Sequence, residues 1–172
     1  MNSGESDPWT IGRVNFETND GSLPGIELNG LTPDDLRSLF RLITSRGRVS
    51  ADTKIWDNRL EKDVPLKSVT DPAGAVAAEV LDPFHFCASE ISSDGVQLPV
   101  LGFFFFHNAI AIDYRMGSDW SRSRFLAFYS FLRELVSCAT AAEVAPEKSE
   151  GPPDPDRFLA SWNCYLEGSA KP

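Results

Sequence analysis

The sequence predicts an α+β fold: an antiparallel sheet with a central meander at about residues 83–115, covered by amphipathic helices at about 33–46 and 119–138, plus a C-terminal helix. Two patterns predict this arrangement. Apolar segments separated by turn residues indicate paired strands. Apolar residues at helical spacing on both sides of those segments indicate helices that cover the sheet. A chain of 172 residues is long enough to bury such a core as one domain.

The N-terminal part contains one strongly marked helix. We expect a disordered lead over residues 1–9, a short strand at 10–16 and a brief extended piece at 26–28. Thr32 followed by Pro33 marks the start of a helix, and Gly47 marks its end. Apolar residues at i, i+3, i+4 and i+7 give that helix one buried face: Leu36, Leu39, Phe40 and Ile43.

The next segment is mixed in character. Short strands are expected around Ile55-Trp56 and within residues 64–69, with turn chemistry at Asp57-Asn58 between them. One or two helical turns are expected within residues 73–81.

The predicted meander comprises strands at about 83–91, 96–106 and 109–115. In the first strand Phe84 and Phe86 alternate with His85 and Cys87, so these two pairs should point to opposite faces. Residues 92–95 have hairpin-turn chemistry. The second strand is apolar on both faces in its second half, which indicates a central, covered position.

The C-terminal part begins with a helix capped by Ser118 or Asp119. Residues 143–154 are rich in Glu and Pro and are expected to be an exposed, mobile acidic linker. The linker separates a single domain at 10–142 from a C-terminal helix and tail at 155–172. This helix docks either on the body or on a partner. The apolar face of the predicted helix at about 119–138 contains Phe125, Phe128, Tyr129, Leu132, Leu135 and Val136.

Charge and cysteine content limit the function classes. The formal net charge is −9, which argues against binding to nucleic acid or to an anionic membrane. An acidic surface suits a basic protein partner, or serves solubility alone. Three distant cysteines imply no disulfide framework, and no secretory signal or membrane-spanning run is recognisable. We therefore expect a cytoplasmic protein.

The sequence contains no phosphate-binding loop and no hydrolase or metalloprotease motif. His85 and Cys87 share one strand face and are candidate metal ligands, with His107 a third candidate. The expected register places His107 well beyond His85, so we predict no metal and no other cofactor. A nucleophile–base pair of Cys87 and His85 is not expected either, because alternate residues of one strand do not point a base at a thiol.

The most distinctive polar group lies between the last predicted meander strand and the following helix. Three interpretations remain open: Asp113 is the acid of an enzyme, or Asp113 and Arg115 pair with each other or with Asp119 and so tie the strand to the helix, or the corner formed by residues 113–120 is a recognition surface. Tyr, Trp and Arg are enriched in binding hot spots. The tail acids are either solvated or attract a basic partner; they are Glu143, Glu147, Glu150, Asp154 and Asp156. The predicted partner-binding residues are Asp113, Tyr114, Arg115, Asp119, Trp120, Glu147 and Glu150, and no catalytic residue is predicted.

The run Ile110 to Trp120, IAIDYRMGSDW, followed by an aromatic helix, resembles a segment of small bacterial immunity proteins of polymorphic toxin systems. In those proteins a strand ending in Asp-Tyr-Arg or a similar sequence passes through a Gly-containing loop and a Trp into the closing helix. The resemblance covers residues 110–138. It implies a cytoplasmic inhibitor that binds a cognate toxin, often a basic nuclease, and blocks its active site; no catalytic residue carries over.

We therefore predict a non-catalytic protein-binding function, as an immunity protein that inhibits a cognate toxin. One alternative is an acidic secretion-type chaperone, which would be an obligate dimer with apolar grooves for an unfolded client. Another is a small enzyme that uses Asp113 as its acid or base. The sequence determines neither the partner nor the oligomeric state.

Overall fold

The computed structural model describes residues 7–170. It confirms the predicted α+β class, with an antiparallel sheet, helices that cover it and a C-terminal helix. In chain order the elements are α1 (Pro8–Gly12), α2 (Val14–Glu17), β1 (Gly25–Asn29), α3 (Pro33–Arg46), β2 (Arg48–Val49), β3 (Lys54–Asp57), β4 (Lys62–Pro65), a 3-10 turn (Leu66–Ser68), α4 (Pro72–Ala77), β5 (Phe84–Ser89), β6 (Ser92–Ser93), β7 (Val96–Gln97), β8 (Leu101–Phe105), β9 (Ile110–Tyr114), α5 (Arg122–Ser137), β10 (Glu143–Pro146) and α6 (Pro155–Ser169).

The main sheet has six strands in the order β10-β1-β9-β8-β5-β2, and all neighbours are antiparallel. The predicted meander is its centre, because β5, β8 and β9 are consecutive neighbours. Strand β1 extends the sheet beyond β9, and β10 forms one edge. Two separate hairpins, β3–β4 and β6–β7, lie outside the main sheet.

One face of the sheet is covered by helices and forms the core. Phe40 of α3 makes edge-to-face ring contacts with Phe84 and Phe105 of this face. Phe128 of α5 contacts the ring of Tyr114 at 5.9 Å. Such large rings remove much apolar surface from water, so this face supplies most of the hydrophobic stabilisation. The fully or almost fully buried sheet residues on it are Ile26, Leu28, Phe84, Phe86, Leu101, Phe103, Phe105, Ile110, Ile112 and Tyr114.

The N-terminus of α3 is fixed by a capping box. The Thr32 hydroxyl accepts a hydrogen bond from the backbone N–H of Asp35, whose carboxylate accepts one from the N–H of Thr32. The Asp35 carboxylate also accepts two hydrogen bonds from Thr140, which follows α5. The N–H of Thr32 is the main reason that the pKa of Asp35 lies below its usual value. This one side chain therefore joins the ends of the two covering helices.

The predicted strand at 10–16 is wrong: the segment is helical, within α1 and α2. The reason is tertiary packing, since the ring of Phe16 stacks on Tyr114 at 4.7 Å and Trp9 meets Phe125 at 5.2 Å. Of the predicted disordered lead at 1–9, residues 1–6 lie outside the described part of the chain, whereas Pro8 and Trp9 belong to α1.

The predicted strand at 96–106 is divided in two. Asp94 and Gly95 both have positive φ, 49° and 74°, and form the tight turn of the small β6–β7 hairpin. The main strand β8 starts only at Leu101. Pro99 lies in the break between them, where its missing backbone N–H does not interrupt a ladder.

The segment 143–154, predicted as an exposed linker, is part of the sheet in its first half. Residues Glu143–Pro146 form β10 and pair with β1, with Ile26 opposite Pro146. Without this strand β1 would be an unpaired edge, so backbone hydrogen bonding outweighs the polar composition. Helix α6 docks on the body, since the rings of Phe158 and Trp162 contact Tyr129 of α5 at 5.9 and 5.3 Å.

Candidate partner-binding face of the sheet

The second face of the sheet is partly exposed to solvent. Cys87 is exposed, and Glu27, Phe104 and Asp113 are partly exposed. The helices lie on the other face, and this face alternates with the core face residue by residue. We call it the open face and define it by eleven residues: Gly25, Glu27, Asn29, His85, Cys87, Gly102, Phe104, Phe106, Ala111, Asp113 and Glu147.

At the centre of the open face, His85 of β5 meets Asp113 of β9 above the intervening strand β8. The distance from His85 Nε2 to Asp113 Oδ2 is 2.7 Å. The two side chains are 37% and 25% exposed, respectively. They meet because Gly102 of β8, which faces Asp113 in the register, has no side chain; a Cβ there would overlap both groups. Glycine at this position therefore permits the pair.

A second glycine, Gly25, leaves space for a second acid, Glu147, on the same cross-strand row. Gly25 of β1 pairs with Asp113 of β9, and the N–H of Glu147 donates to the carbonyl of Gly25 at 3.0 Å. A Cβ at Gly25 would overlap the Glu147 carboxylate, so that side chain lies across β1. Asp113 and Glu147 are thus successive acids along one row, and Glu27 lies on the adjacent row. Three carboxylates on one face favour a cationic partner.

An aromatic strip borders the acids. The rings of Phe104 and Phe106 stack with centroids 4.5 Å apart, and the His85 ring lies 5.9 Å from Phe104. His85 therefore contacts both the aromatic strip and Asp113. Aromatic residues are enriched at protein interfaces relative to the rest of the protein surface.

The open face also contains the thiol of Cys87, which pairs in register with Gly102. Partial burial and, to a lesser degree, the charge of Asp113 raise the pKa of Cys87. A raised thiol pKa disfavours the reactive thiolate. Within residues 7–170 no group of three His, Cys, Asp or Glu side chains is arranged to hold a metal ion. His107, the third candidate ligand, contacts the carbonyl oxygen of Val76 instead.

The structure separates the predicted partner-binding residues into a group at the surface and a group in the core. Asp113 and Glu147 lie together on the open face, and Arg115, Asp119 and Glu150 are exposed. Asp113 pairs with His85, and not with Arg115 as one interpretation expected. The backbone carbonyls of Arg115 and Asp119, by contrast, do contribute to the corner, since they accept hydrogen bonds from Trp120 and Arg124.

Tyr114 and Trp120 do not form a recognition surface. They are only 1% and 5% exposed, because both pack around the ring of Phe16. The Tyr114 hydroxyl donates a hydrogen bond to the carbonyl of Asn15 at 2.8 Å, and burial raises its pKa far above the usual value. These two predictions are corrected: the rings belong to the core.

Sequence reasoning missed three contributors to the open face: Glu27, Phe104 and Phe106. Alternation placed His85 and Cys87 together, and the same alternation applied to β8 separates Phe104 and Phe106 from the core residues Phe103 and Phe105. Glu27 was not recognised as part of a sheet face because only a brief extended piece was expected at residues 26–28. Its neighbours Ile26 and Leu28 are fully buried, a short apolar–polar alternation typical of a strand.

No protein-family model and no curated protein matches this sequence. A likeness of fold does exist to a chain of the crystal structure of the toxic C-terminal tip of CdiA from Pseudomonas aeruginosa in complex with immune protein. It has a TM-score of 0.52 and 16% sequence identity, and covers 74% of this chain and 88% of that chain. At this identity the likeness shows the fold alone. At the level of the fold, this chain is similar to a chain of a toxin–immune protein complex, which agrees with the resemblance noted for residues 110–138.

The described part of the chain contains no helix long and apolar enough to cross a bilayer.

Proposed function

We propose that this protein is an immunity protein: a non-catalytic inhibitor that binds a toxin domain in the cytoplasm and blocks its activity. The observation that carries the proposal is the open face, a partly exposed face of a six-stranded sheet with acids and aromatic rings on it. The fold likeness to a chain of a toxin–immune protein complex supports the same class of function.

The composition of the open face suits a folded, basic partner. Asp113, Glu147 and Glu27 supply negative charge, and Phe104 and Phe106 supply apolar contact area. A net charge of −9 adds a long-range field that accelerates the approach of a positively charged protein. A nuclease is such a partner, because its own substrate requires a basic surface. An inhibitor seated over that surface excludes the substrate.

The test is a toxicity rescue. The product of the gene next to this one is expressed in bacteria alone and together with this protein. We expect the neighbour to stop growth alone and this protein to restore it, with a complex that weakens as salt concentration rises. A harmless neighbour that becomes soluble only in the presence of this protein would overturn the proposal in favour of a chaperone.

A matched pair of charge reversals connects the rescue to the open face. Asp113→Lys reverses a charge on that face, whereas Glu167→Lys makes the same change at an exposed position of α6, which packs on α1 and α5. We expect D113K to abolish rescue and E167K to retain it. Equal rescue by both variants would exclude the open face as the inhibitory surface.

A further inference from the structure

The geometry of the open face points to the chemistry of its partner, an inference that rests on the proposed function. We propose that the partner inserts an arginine side chain beside Asp113, so that its guanidinium bonds the carboxylate and stacks on the aromatic strip of Phe104 and Phe106. His85 is the positioning residue that holds the carboxylate in place for this contact.

The Asp113 carboxylate has hydrogen-bond acceptor positions available for a cation. Its Oδ2 is held by His85 Nε2 at 2.7 Å, whereas Oδ1 accepts no hydrogen bond from residues 7–170. Each carboxylate oxygen has two lone pairs, so the unoccupied positions match the paired N–H groups of a guanidinium. The side chain is 25% exposed, which keeps it accessible yet partly desolvated.

The aromatic strip favours arginine over lysine. Consecutive contacts run from Phe106 to Phe104 at 4.5 Å, from Phe104 to His85 at 5.9 Å, and from His85 to Asp113. A planar guanidinium stacks on such rings while its N–H groups reach a carboxylate, whereas a lysine ammonium presents a compact, strongly hydrated charge. One side chain therefore satisfies both the rings and the acid.

Neighbouring side chains fix where the arginine can lie. Ala111 lies between Phe104 of β8 and Glu27 of β1 on one cross-strand row, whereas the space over Gly102 and Gly25 on the next row is taken by the His85–Asp113 pair and by the Glu147 carboxylate. The guanidinium therefore approaches over the small side chain of Ala111, between the aromatic strip and Glu27. Glu27 and Glu147 add negative charge on the β1 side, which favours a guanidinium and disfavours an anion.

The first experiment needs no toxin. Two-dimensional NMR spectra of the full chain are recorded during titration with N-acetyl-arginine amide, and separately with N-acetyl-citrulline amide, which has the same shape without the charge. We expect saturable shifts for arginine at His85, Phe104 and Asp113, and at least tenfold weaker effects for citrulline. Equal responses to both compounds, or shifts spread over the whole surface, would overturn the proposal.

Variants show which side chains are responsible for the arginine-induced shifts. Asp113→Asn should abolish the saturable shifts and Phe104→Leu should weaken them several-fold, whereas Glu167→Gln on α6 should leave them unchanged. D113N replaces a partly exposed carboxylate with an amide of nearly the same shape, and the NMR spectrum of the variant is the check that the fold is intact. Retained arginine binding in a folded D113N protein would refute the assignment.

The same variants separate this inference from the proposed function. If the neighbouring gene product binds wild-type protein and D113N equally well, the inhibitor proposal stands and the arginine site is wrong. If that product does not bind at all while the arginine amide binds at Asp113, the proposed function fails and the site stands.

Discussion

His85 and Asp113 belong to strands that do not touch each other, yet His85 Nε2 lies 2.7 Å from Asp113 Oδ2. The strand between them, β8, contributes Gly102 at the crossing point. The two side chains can meet above β8 because Gly102 has no side chain to separate them. In the same way, the Glu147 carboxylate lies over Gly25, where a Cβ would overlap it. The two glycines thus organise the charges of the open face.

Replacing Gly102 with alanine should break the His85–Asp113 hydrogen bond, because the new Cβ overlaps both groups. These are the ends of side chains that can move, so we expect a modest loss of stability of about 1 kcal/mol, at the low end for overpacking. The expected functional loss is larger: at least tenfold weaker binding of the partner. Urea denaturation and calorimetric titration measure the two effects.

The control for Gly102→Ala is Gly168→Ala in α6, where a Cβ meets no atom within 4 Å. Alanine is the better helix former, so this variant should gain up to about 0.5–1 kcal/mol and bind normally. Intact binding by the Gly102 variant would show that the His85–Asp113 pair is irrelevant to recognition.

Tyr114→Phe separates stability from binding. The change removes the hydroxyl that donates to the Asn15 carbonyl and leaves that carbonyl without its buried donor, which should cost about 1–3 kcal/mol of unfolding free energy. The affinity for the partner should not change, because the ring lies on the core face of the sheet. A fall in affinity with unchanged stability would return Tyr114 to the binding surface.

Asp35 should confer a pH dependence on stability at the acidic end. Hydrogen bonds, first from the N–H of Thr32, lower its pKa in the folded state, whereas the unfolded value is about 3.9. A group with a lowered folded pKa stabilises the protein fully above its unfolded pKa and loses that contribution as the pH falls through the folded value. Chemical denaturation of wild type and Asp35→Asn should therefore differ most above about pH 4 and converge as the pH falls below the lowered folded-state pKa of Asp35.

Asp34→Asn is the matched control, one residue away in the same helix turn. The Asp34 side chain is 92% exposed and pairs with Arg37, and such surface pairs contribute little. We expect Asp35→Asn to lose about 1–2 kcal/mol at pH 7 and Asp34→Asn much less. Equal losses would mean that helix-dipole charge, and not the Thr32 and Thr140 hydrogen bonds, accounts for the effect.

The sequence predicted the elements whose signals are local. The capping residues of α3 and the helical spacing in α5 depend on neighbours along the chain, and the meander depends on alternation and turn residues. It did not predict β10 at residues 143–146, because a polar segment becomes a strand only when the edge of β1 is available. Helices α1 and α2 were missed for a similar reason: Trp9 of α1 and Phe16 of α2 contact the ring of Phe125 in the distant helix α5.

The candidate site was predicted in part. Asp113 was identified because it is an acid at the end of an apolar strand, but its partner was not, since His85 lies 28 residues earlier and the pairing depends on a three-strand register. Tyr114 and Trp120 were misassigned because residue type alone does not distinguish a hot spot from a core ring. Their burial depends on Phe16, a residue that the sequence pattern had placed in a strand.

The central claim is that the open face is the surface covered by the partner, and Cys87 offers a direct measurement. Cys87 lies on that face, whereas Cys138 is an exposed cysteine at the end of α5, in the helical layer. Alkylation of both thiols is followed by peptide mass spectrometry with and without the partner. We predict that complex formation slows modification of Cys87 at least tenfold and leaves Cys138 unchanged. Unchanged modification of Cys87 in a saturated complex would contradict the claim.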